Sequence, residues 1–180
     1  MLFTYQECIS KYGNDYLVKK ALLNRTLFQI EKGLYSDKQY NSENEIVMRK
    51  YPGAVYTGKS AYYYHGLSDV IPDYHYIATK RSATRIKDNS IKQIFITNEV
   101  FDMGIETMIY QDVEIRVYDI ERLLVELIRF RSKESIDYYK EVVASYRDKI
   151  YEMDFEKIEK YASKFKSYKR IMDTVQMEVM

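Results

Sequence analysis

The N-terminal segment 1–37 most constrains the fold, because two short helix patterns are followed directly by a hairpin pattern. Thr4 lies three residues before Glu7, the spacing of a capping box, so a helix is predicted from about Tyr5 to Tyr12. Gly13-Asn14 follows, and we expect this pair to form a left-handed turn that ends the helix.

A second short helix is predicted from Asp15 to Asn24. Helical periodicity places Leu17 and Ala21 on its inner face, together with Leu22 or Leu23. The opposite face carries Lys19, Lys20 and Arg25. Two short helices joined by a tight turn that contains glycine form the core of a helix-turn-helix.

A β-ribbon pattern completes this segment. Residues 27–30 and 34–37 are predicted strands, and Glu31-Lys32-Gly33 separates them as a turn. A ribbon in this position corresponds to the wing of a winged helix-turn-helix. We therefore predict such a DNA-binding domain over residues 1–40.

Composition restricts how such a domain could bind DNA. The apolar fraction of 46% is sufficient for a core, but the net charge is only +1, so DNA binding would require a local cationic patch. The single Cys8 excludes an internal disulfide, and we expect it to be buried. No apolar stretch has the length of a membrane span and the start lacks a signal-peptide pattern, so we expect no membrane association and a cytoplasmic location.

The rest of the chain is predicted to form a mixed α/β domain over residues 41–180, with a small central sheet and a helical tail from about residue 120. The predicted fold class is therefore α+β. Strand patterns cover 74–79, 91–97, 105–110 and 113–118, and Gln111-Asp112 is a two-residue hairpin turn between the last two. Helices are predicted from Ser42 to about Lys50, at 60–65, from Asp119 to about Phe130, and at 135–149, 154–165 and 167–179. The helix at 135–149 carries Ile136, Tyr139, Val142, Val143 and Tyr146.

Two groups of residues are candidates for DNA contact. The first residues of a recognition helix read base edges, and a wing more often meets phosphate. The candidates in the first domain are Asn14, Asp15, Tyr16, Lys19 and Lys20 for bases, with Arg25 and Lys32 nearby. The second group is the basic loop, defined as Lys80, Arg81, Arg85 and Lys87, which could meet DNA or an acidic partner. For both groups, the alternative is a solvated surface without a partner.

Three sequence anchors resemble one known family, the AbiEi-type antitoxins. The first is Lys32-Gly33-Leu34-Tyr35 at the end of the wing pattern. The second is residues 56–61 (YTGKSA), followed by Tyr64-His65-Gly66-Leu67 and Ile71-Pro72. The third is residues 113–124 (VEIRVYDIERLL). They occur in family order between Thr4 and about Lys149.

The resemblance implies a winged helix-turn-helix followed by an α/β domain. It also implies a phage-defence role of the abortive-infection type. Such proteins repress their own operon at inverted repeats and counter a nucleotidyltransferase-like AbiEii toxin. The oligomeric state stays open, and one option is a monomer in solution that pairs on DNA. The runner-up function is a winged-helix repressor without a toxin, whose second domain dimerises or senses a ligand.

Enzymatic readings have less support in the sequence. Glu114-Ile115-Arg116, with Asp102 or Asp112, has the spacing of a metal-dependent nuclease motif, but arginine replaces the usual lysine and is a poor proton shuttle. His65 and His75 lack partners at ligand spacing, and we expect His65 to cap a helix end. We therefore predict no catalytic residues, metal or cofactor.

Overall fold

The computed structural model describes residues 1–180 and has an α+β fold with nine α-helices and two β-sheets. The chain forms two compact units, one of Met1–Pro52 with Gln111–Val113 and one of Gly53–Tyr110 with Glu114–Met180. The predicted domain boundary after residue 40 falls within the first unit. None of the helices is both long enough and apolar enough to span a membrane.

The helices are short. Most of them begin at an N-cap residue whose side chain accepts a hydrogen bond from a backbone amide of the first turn. They are α1 Tyr5–Tyr12, α2 Asp15–Leu23, α3 Glu43–Lys50, α4 Gly58–Tyr64, α5 Asn98–Phe101, α6 Ile120–Arg129, α7 Ile136–Asp148, α8 Phe155–Ala162 and α9 Tyr168–Glu178. Two short 3₁₀ turns cover Arg131–Lys133 and Ile150–Glu152. All the helices predicted from caps and periodicity are present, and only α5 was not predicted.

The strands divide between two sheets. They are β1 Leu2–Thr4, β2 Phe28–Glu31, β3 Leu34–Ser36, β4 Val55–Tyr56, β5 His75–Lys80, β6 Ile91–Ile96, β7 Ile105–Tyr110 and β8 Val113–Tyr118. The first sheet has the order β1-β3-β2, and the second has the order β6-β5-β4-β8-β7.

The first unit is built around a small apolar cluster that joins its helices to its sheet. The buried members are Phe3, Cys8, Val18, Ala21, Leu27 and Tyr35. The predicted capping box is confirmed, because Thr4 Oγ1 accepts from the Glu7 amide and the Glu7 carboxylate accepts from the Thr4 amide at 2.7 Å. The ribbon is also confirmed as the antiparallel pair β2–β3. The sequence did not predict β1, which pairs antiparallel with β3.

Two local expectations in this unit are wrong. Gly13 has the expected positive φ, at +100°, but Asn14 does not. Asn14 has φ −157° and an extended backbone, and it is the N-cap residue of α2. The inner face of α2 is Val18 and Ala21, and Leu17 is 39% exposed. Leu23, one of two options for the inner face, is 84% exposed.

The second sheet has the shortest strand at its centre. Strand β4 pairs antiparallel with β5 through Val55–Ala78 and Tyr56–Ile77, and parallel with β8 through Tyr56–Val117. Strands β7 and β8 flank the predicted turn, whose two residues have φ of +48° and +64° as a type I′ turn requires. Strands β5 and β6 run parallel, joined by residues 81–90 without a helix.

Helix α6 is the centre of the second unit and is buried on nearly all sides. Asp119 begins it by accepting from the Arg122 amide at 2.8 Å, and α4, α8 and α9 pack against it. One buried ion pair lies on this helix, since Arg122 Nη2 donates to Glu126 Oε1 at 2.7 Å. On α7, Tyr139, Val142, Val143 and Tyr146 are buried, whereas Ile136 in the first turn is 71% exposed.

Candidate nucleic-acid interface

Helix α2 is held in place by a turn of two residues and by its buried face. The Gly13 amide donates to the Ile9 carbonyl at 2.7 Å, and Asn14 Oδ1 accepts from the Leu17 amide at 2.9 Å. Val18 and Ala21 anchor the helix in the apolar cluster. Because Val18 and Ala21 hold one face of the helix against the cluster, the side chains on the opposite face point outward.

The outward-facing surface of α2 contains every base-contact candidate. Asn14, Asp15, Tyr16, Lys19 and Lys20 are all exposed, and Tyr16 is 70% exposed. The lysines of α2 are therefore accessible and not turned into the protein. This arrangement can supply lysine and asparagine donors to an acidic or polynucleotide partner.

The two lysines of α2 differ in their surroundings. Lys19 Nζ lies 2.6 Å from Asp15 Oδ2, one turn earlier, and Tyr5 also donates to Asp15. Hydrogen bonds from Lys19 and then from Tyr5 lower the pKa of Asp15, so this carboxylate is charged at neutral pH. The Lys20 side chain has no carboxylate partner. Lys20 is thus the uncompensated cation of the helix.

Two more exposed cations lie at turns of the first unit. Arg25 has φ +55°, an unusual left-handed conformation for a residue with a side chain, and it follows Asn24, the C-cap residue of α2. Lys32 lies in the turn between β2 and β3, where Gly33 at φ +85° makes the reversal possible. In the first unit, the candidate set therefore has one carboxylate against four cations.

The basic loop lies in the second unit, where Lys80 ends β5 and the other three residues belong to the connection to β6. Lys80 is partly neutralised, because its Nζ lies 3.2 Å from Asp102 Oδ2 and 5.4 Å from the centre of the Phe101 ring. Arg81, Arg85 and Lys87 are exposed. The loop therefore contributes three solvated cations.

Gln93 on β6 fixes the backbone of the basic loop. Its Oε1 accepts from the Ile86 amide at 2.8 Å, and its Nε2 donates to the Thr84 carbonyl at 3.1 Å and to Thr79 Oγ1 at 2.8 Å. This role could not be predicted from the sequence, because glutamine in a strand is usually only a surface residue. A strand-to-loop contact of this kind depends on the parallel pairing of β5 and β6.

The nuclease hypothesis has no converging ligand set. Asp102 is engaged with Lys80, Asp112 lies in the hairpin turn, and Glu114 is exposed on β8. Ile115 and Val117 on the same strand are buried. Nowhere in the chain do three His, Cys, Asp or Glu side chains cluster in a way that could hold a metal ion.

The histidines make contacts that the sequence did not predict. His65 is the C-cap residue of α4, but its Nε2 lies 2.8 Å from the Tyr118 carbonyl and 3.8 Å from Glu106 Oε1. Burial raises the pKa of Glu106, and the nearby His65 partly opposes that shift. His75 Nδ1 lies 3.3 Å from the Tyr56 hydroxyl.

A separate cavity of about 340 Å³ in the second unit was also not predicted. It is lined by lysines from three segments, Lys59, Lys92 and Lys133, and by aromatic side chains that include Tyr76 and Phe130. No local motif could have indicated it, because its residues are up to 77 positions apart in the chain and only the fold brings them together.

No protein-family model matches this chain, and no curated protein is significantly similar to it in sequence.

Proposed function

We propose that this protein is a DNA-binding transcriptional autorepressor and antitoxin of the AbiEi type, without enzymatic activity. In this proposal, residues 1–40 form a winged helix-turn-helix in which α2 is the recognition helix and the β2–β3 hairpin is the wing. The second domain recognises the toxin or adds DNA contacts through the basic loop. The antitoxin role depends on the resemblance of the three sequence anchors.

The observation that supports DNA binding is the exposed, unpaired Lys20 on a helix whose other face is anchored by Val18 and Ala21. A rigid helix with accessible polar side chains after a tight turn suits insertion into the major groove. Lys19 is available as well, because an exposed ion pair such as Lys19–Asp15 is weak and can exchange for a phosphate contact. Lys32 in the hairpin turn is suited to phosphate.

The test is a gel-shift titration of the full chain on DNA from immediately upstream of its gene. We expect sequence-specific binding that Lys20→Ala weakens, because the variant loses a groove contact without disturbing the buried face. Lys140→Ala is the matched control, since Lys140 is an exposed lysine on α7 outside the candidate set. Equal affinities of parent and Lys20→Ala at moderate salt would remove Lys20 from the interface.

A second experiment addresses the toxin. Co-expression with a neighbouring nucleotidyltransferase-like reading frame should restore growth that the neighbour alone suppresses. Specific DNA binding without such rescue would instead match a winged-helix repressor that has no toxin.

A further inference from the structure

The cavity of about 340 Å³ in the second unit has the size and lining of a small-molecule site. Three parts of the unit form its walls: the start of α4, strands β5 and β6, and the end of α6 with the turn that follows it. The residues that carry the argument are Lys59, Tyr76, Lys92, Phe130, Lys133 and Glu134. The volume is near the lower end for ligand pockets, so the cavity suits a compact ligand.

The charge of the lining favours an anion. Lys92 and Lys133 have no carboxylate partner, and both lie near aromatic rings, with Lys92 Nζ 5.9 Å from the Tyr74 ring centre and Lys133 Nζ 4.5 Å from the Phe130 ring centre. Lys59 lies 3.6 Å from Glu134, which is a loose pair. Two lysines at the cavity are therefore uncompensated.

The other carboxylate of the lining is already neutralised from behind. Glu126 Oε1 accepts from Arg122 Nη2 at 2.7 Å and lies 3.8 Å from Arg129 Nη1. A ligand would therefore meet little repulsion from Glu126. The lining therefore contributes the uncompensated positive charges of Lys92 and Lys133, whereas the negative charge of Glu126 is paired with arginine.

The type of cation indicates which anion is favoured. The lining contains lysines and no arginine, so it lacks the planar fork that binds carboxylates in a bidentate manner. Lysine ammonium groups act as point charges and bind phosphate well. Tyr76 and Phe130 add ring surface, and the Tyr76 hydroxyl, like any tyrosine hydroxyl at neutral pH, can donate a hydrogen bond. A phosphate joined to a planar base uses both features.

We propose that this cavity binds a nucleoside monophosphate, with its phosphate on Lys92 and Lys133 and its base against the aromatic wall of Tyr76 and Phe130. Each lysine supplies a charge-assisted hydrogen bond to the phosphate, and Lys59 contributes once it leaves Glu134. The cavity contains no residue of α2, so this proposal can be tested independently of DNA binding.

The test is isothermal titration calorimetry of the full chain with AMP, GMP, CMP and UMP, with inorganic phosphate and benzoate as separate probes. We expect saturable one-to-one binding of at least one nucleotide that is tighter than either probe. The double variant Lys92→Gln/Lys133→Gln should weaken that binding about tenfold or more, because it removes two charge-assisted bonds. Lys169→Gln, an exposed lysine of α9, is the matched control and should leave it unchanged.

A variant that is expected to strengthen nucleotide binding distinguishes loss of the site from a folding defect. Glu134→Gln removes the carboxylate that competes for Lys59, so nucleotide binding should become about threefold tighter. Absence of saturable nucleotide binding would overturn the proposal. So would phosphate or benzoate binding as tightly as the nucleotides, or equal nucleotide affinities for the parent and the double variant.

Discussion

The Lys19 ammonium group lies 2.6 Å from the Asp15 carboxylate, one helical turn away, so the first turn of α2 carries its own counter-ion at the candidate DNA surface. Tyr5 of α1 donates to the same carboxylate. Asp15 therefore links three functions: it favours the helix N-terminus, joins α1 to α2 and competes with phosphate for Lys19.

Removal of this counter-ion should strengthen DNA binding. In Asp15→Asn, Lys19 is released, and one additional phosphate contact would steepen the slope of log affinity against log salt by roughly 0.9. Gel shifts at several salt concentrations give the slope. The isosteric side chain keeps Tyr5 as a hydrogen-bond partner, so folding is little changed. An unaltered slope would show that Lys19 does not reach the DNA backbone.

The basic loop is expected to act through the same electrostatics. Arg81→Ala/Arg85→Ala should lower the salt slope by up to about 1.8 if both guanidinium groups meet phosphate, because each lost contact removes roughly 0.9. Both residues are exposed, so the melting temperature should stay constant. A constant slope would identify the loop as a solvated surface or as a contact for an acidic partner.

Gly104 lies directly against the start of α6, and this contact makes it irreplaceable. A Cβ there would lie 2.8 Å from Arg122 Cβ and 2.8 Å from Asp119 Oδ1, and its φ of +71° is unfavourable for alanine. Gly104→Ala should therefore lower the free energy of unfolding by about 2 kcal/mol or more. Denaturant unfolding would measure this.

Gly53→Ala provides the control for Gly104→Ala. No atom lies within 4 Å of a Cβ at position 53, and the backbone there is not left-handed. We expect a change between zero and a gain of about 1 kcal/mol, because alanine restricts the unfolded chain. A loss in Gly104→Ala no larger than the change in Gly53→Ala would mean that movement of α6 relieves the clash.

Local rules predicted the elements of this fold better than they predicted the pairing between them. The capping box of Thr4 and Glu7 and the turn at Gln111-Asp112 depend only on near neighbours, so the sequence specified them. The pairing of β1 with β3 joins residues 30 to 34 positions apart. The parallel β5–β6 pair is similar, because a parallel connection usually contains a helix and residues 81–90 do not.

The same division holds for the candidate site, where exposure could be predicted but the anchoring residue could not. Exposure of Lys19 and Lys20 followed from the helical period, but the choice of Val18 over Leu17 as the anchor did not. Both residues are apolar and adjacent, so periodicity in a nine-residue helix cannot separate two faces 100° apart. The lysines of the cavity come from three distant segments and were beyond any local rule.

The capping box should give the first unit an acid-sensitive component of stability. Arg49, followed by the Thr4 backbone and hydroxyl, lowers the pKa of Glu7 from 4.5 to about 2. Because the folded pKa is depressed, this stabilisation is complete above pH 4.5 and is lost as the pH falls toward 2. The melting temperature of the parent should therefore fall as the pH is lowered from 4.5 toward 2.

Glu7→Gln isolates that contribution. Glutamine can still accept from the Thr4 amide but does not titrate, so the variant should be less stable than the parent near neutral pH and should approach it near pH 2. Melting temperatures at intervals between these limits give the difference curve. A constant difference would assign the effect to packing and not to the charge of Glu7.

Gln93 should determine how well the basic loop is ordered. In Gln93→Leu, the Ile86 amide loses its acceptor and the Thr84 carbonyl loses its donor, so the Ile86 amide should exchange with solvent about three- to tenfold faster. In Gln93→Glu, an oxygen still accepts from Ile86 and the exchange rate should stay near that of the parent. If the basic loop meets DNA, the leucine variant should also bind more weakly, because binding must then order the loop. Hydrogen exchange by NMR resolves the Ile86 amide, and similar rates in all three proteins would show that another contact protects it.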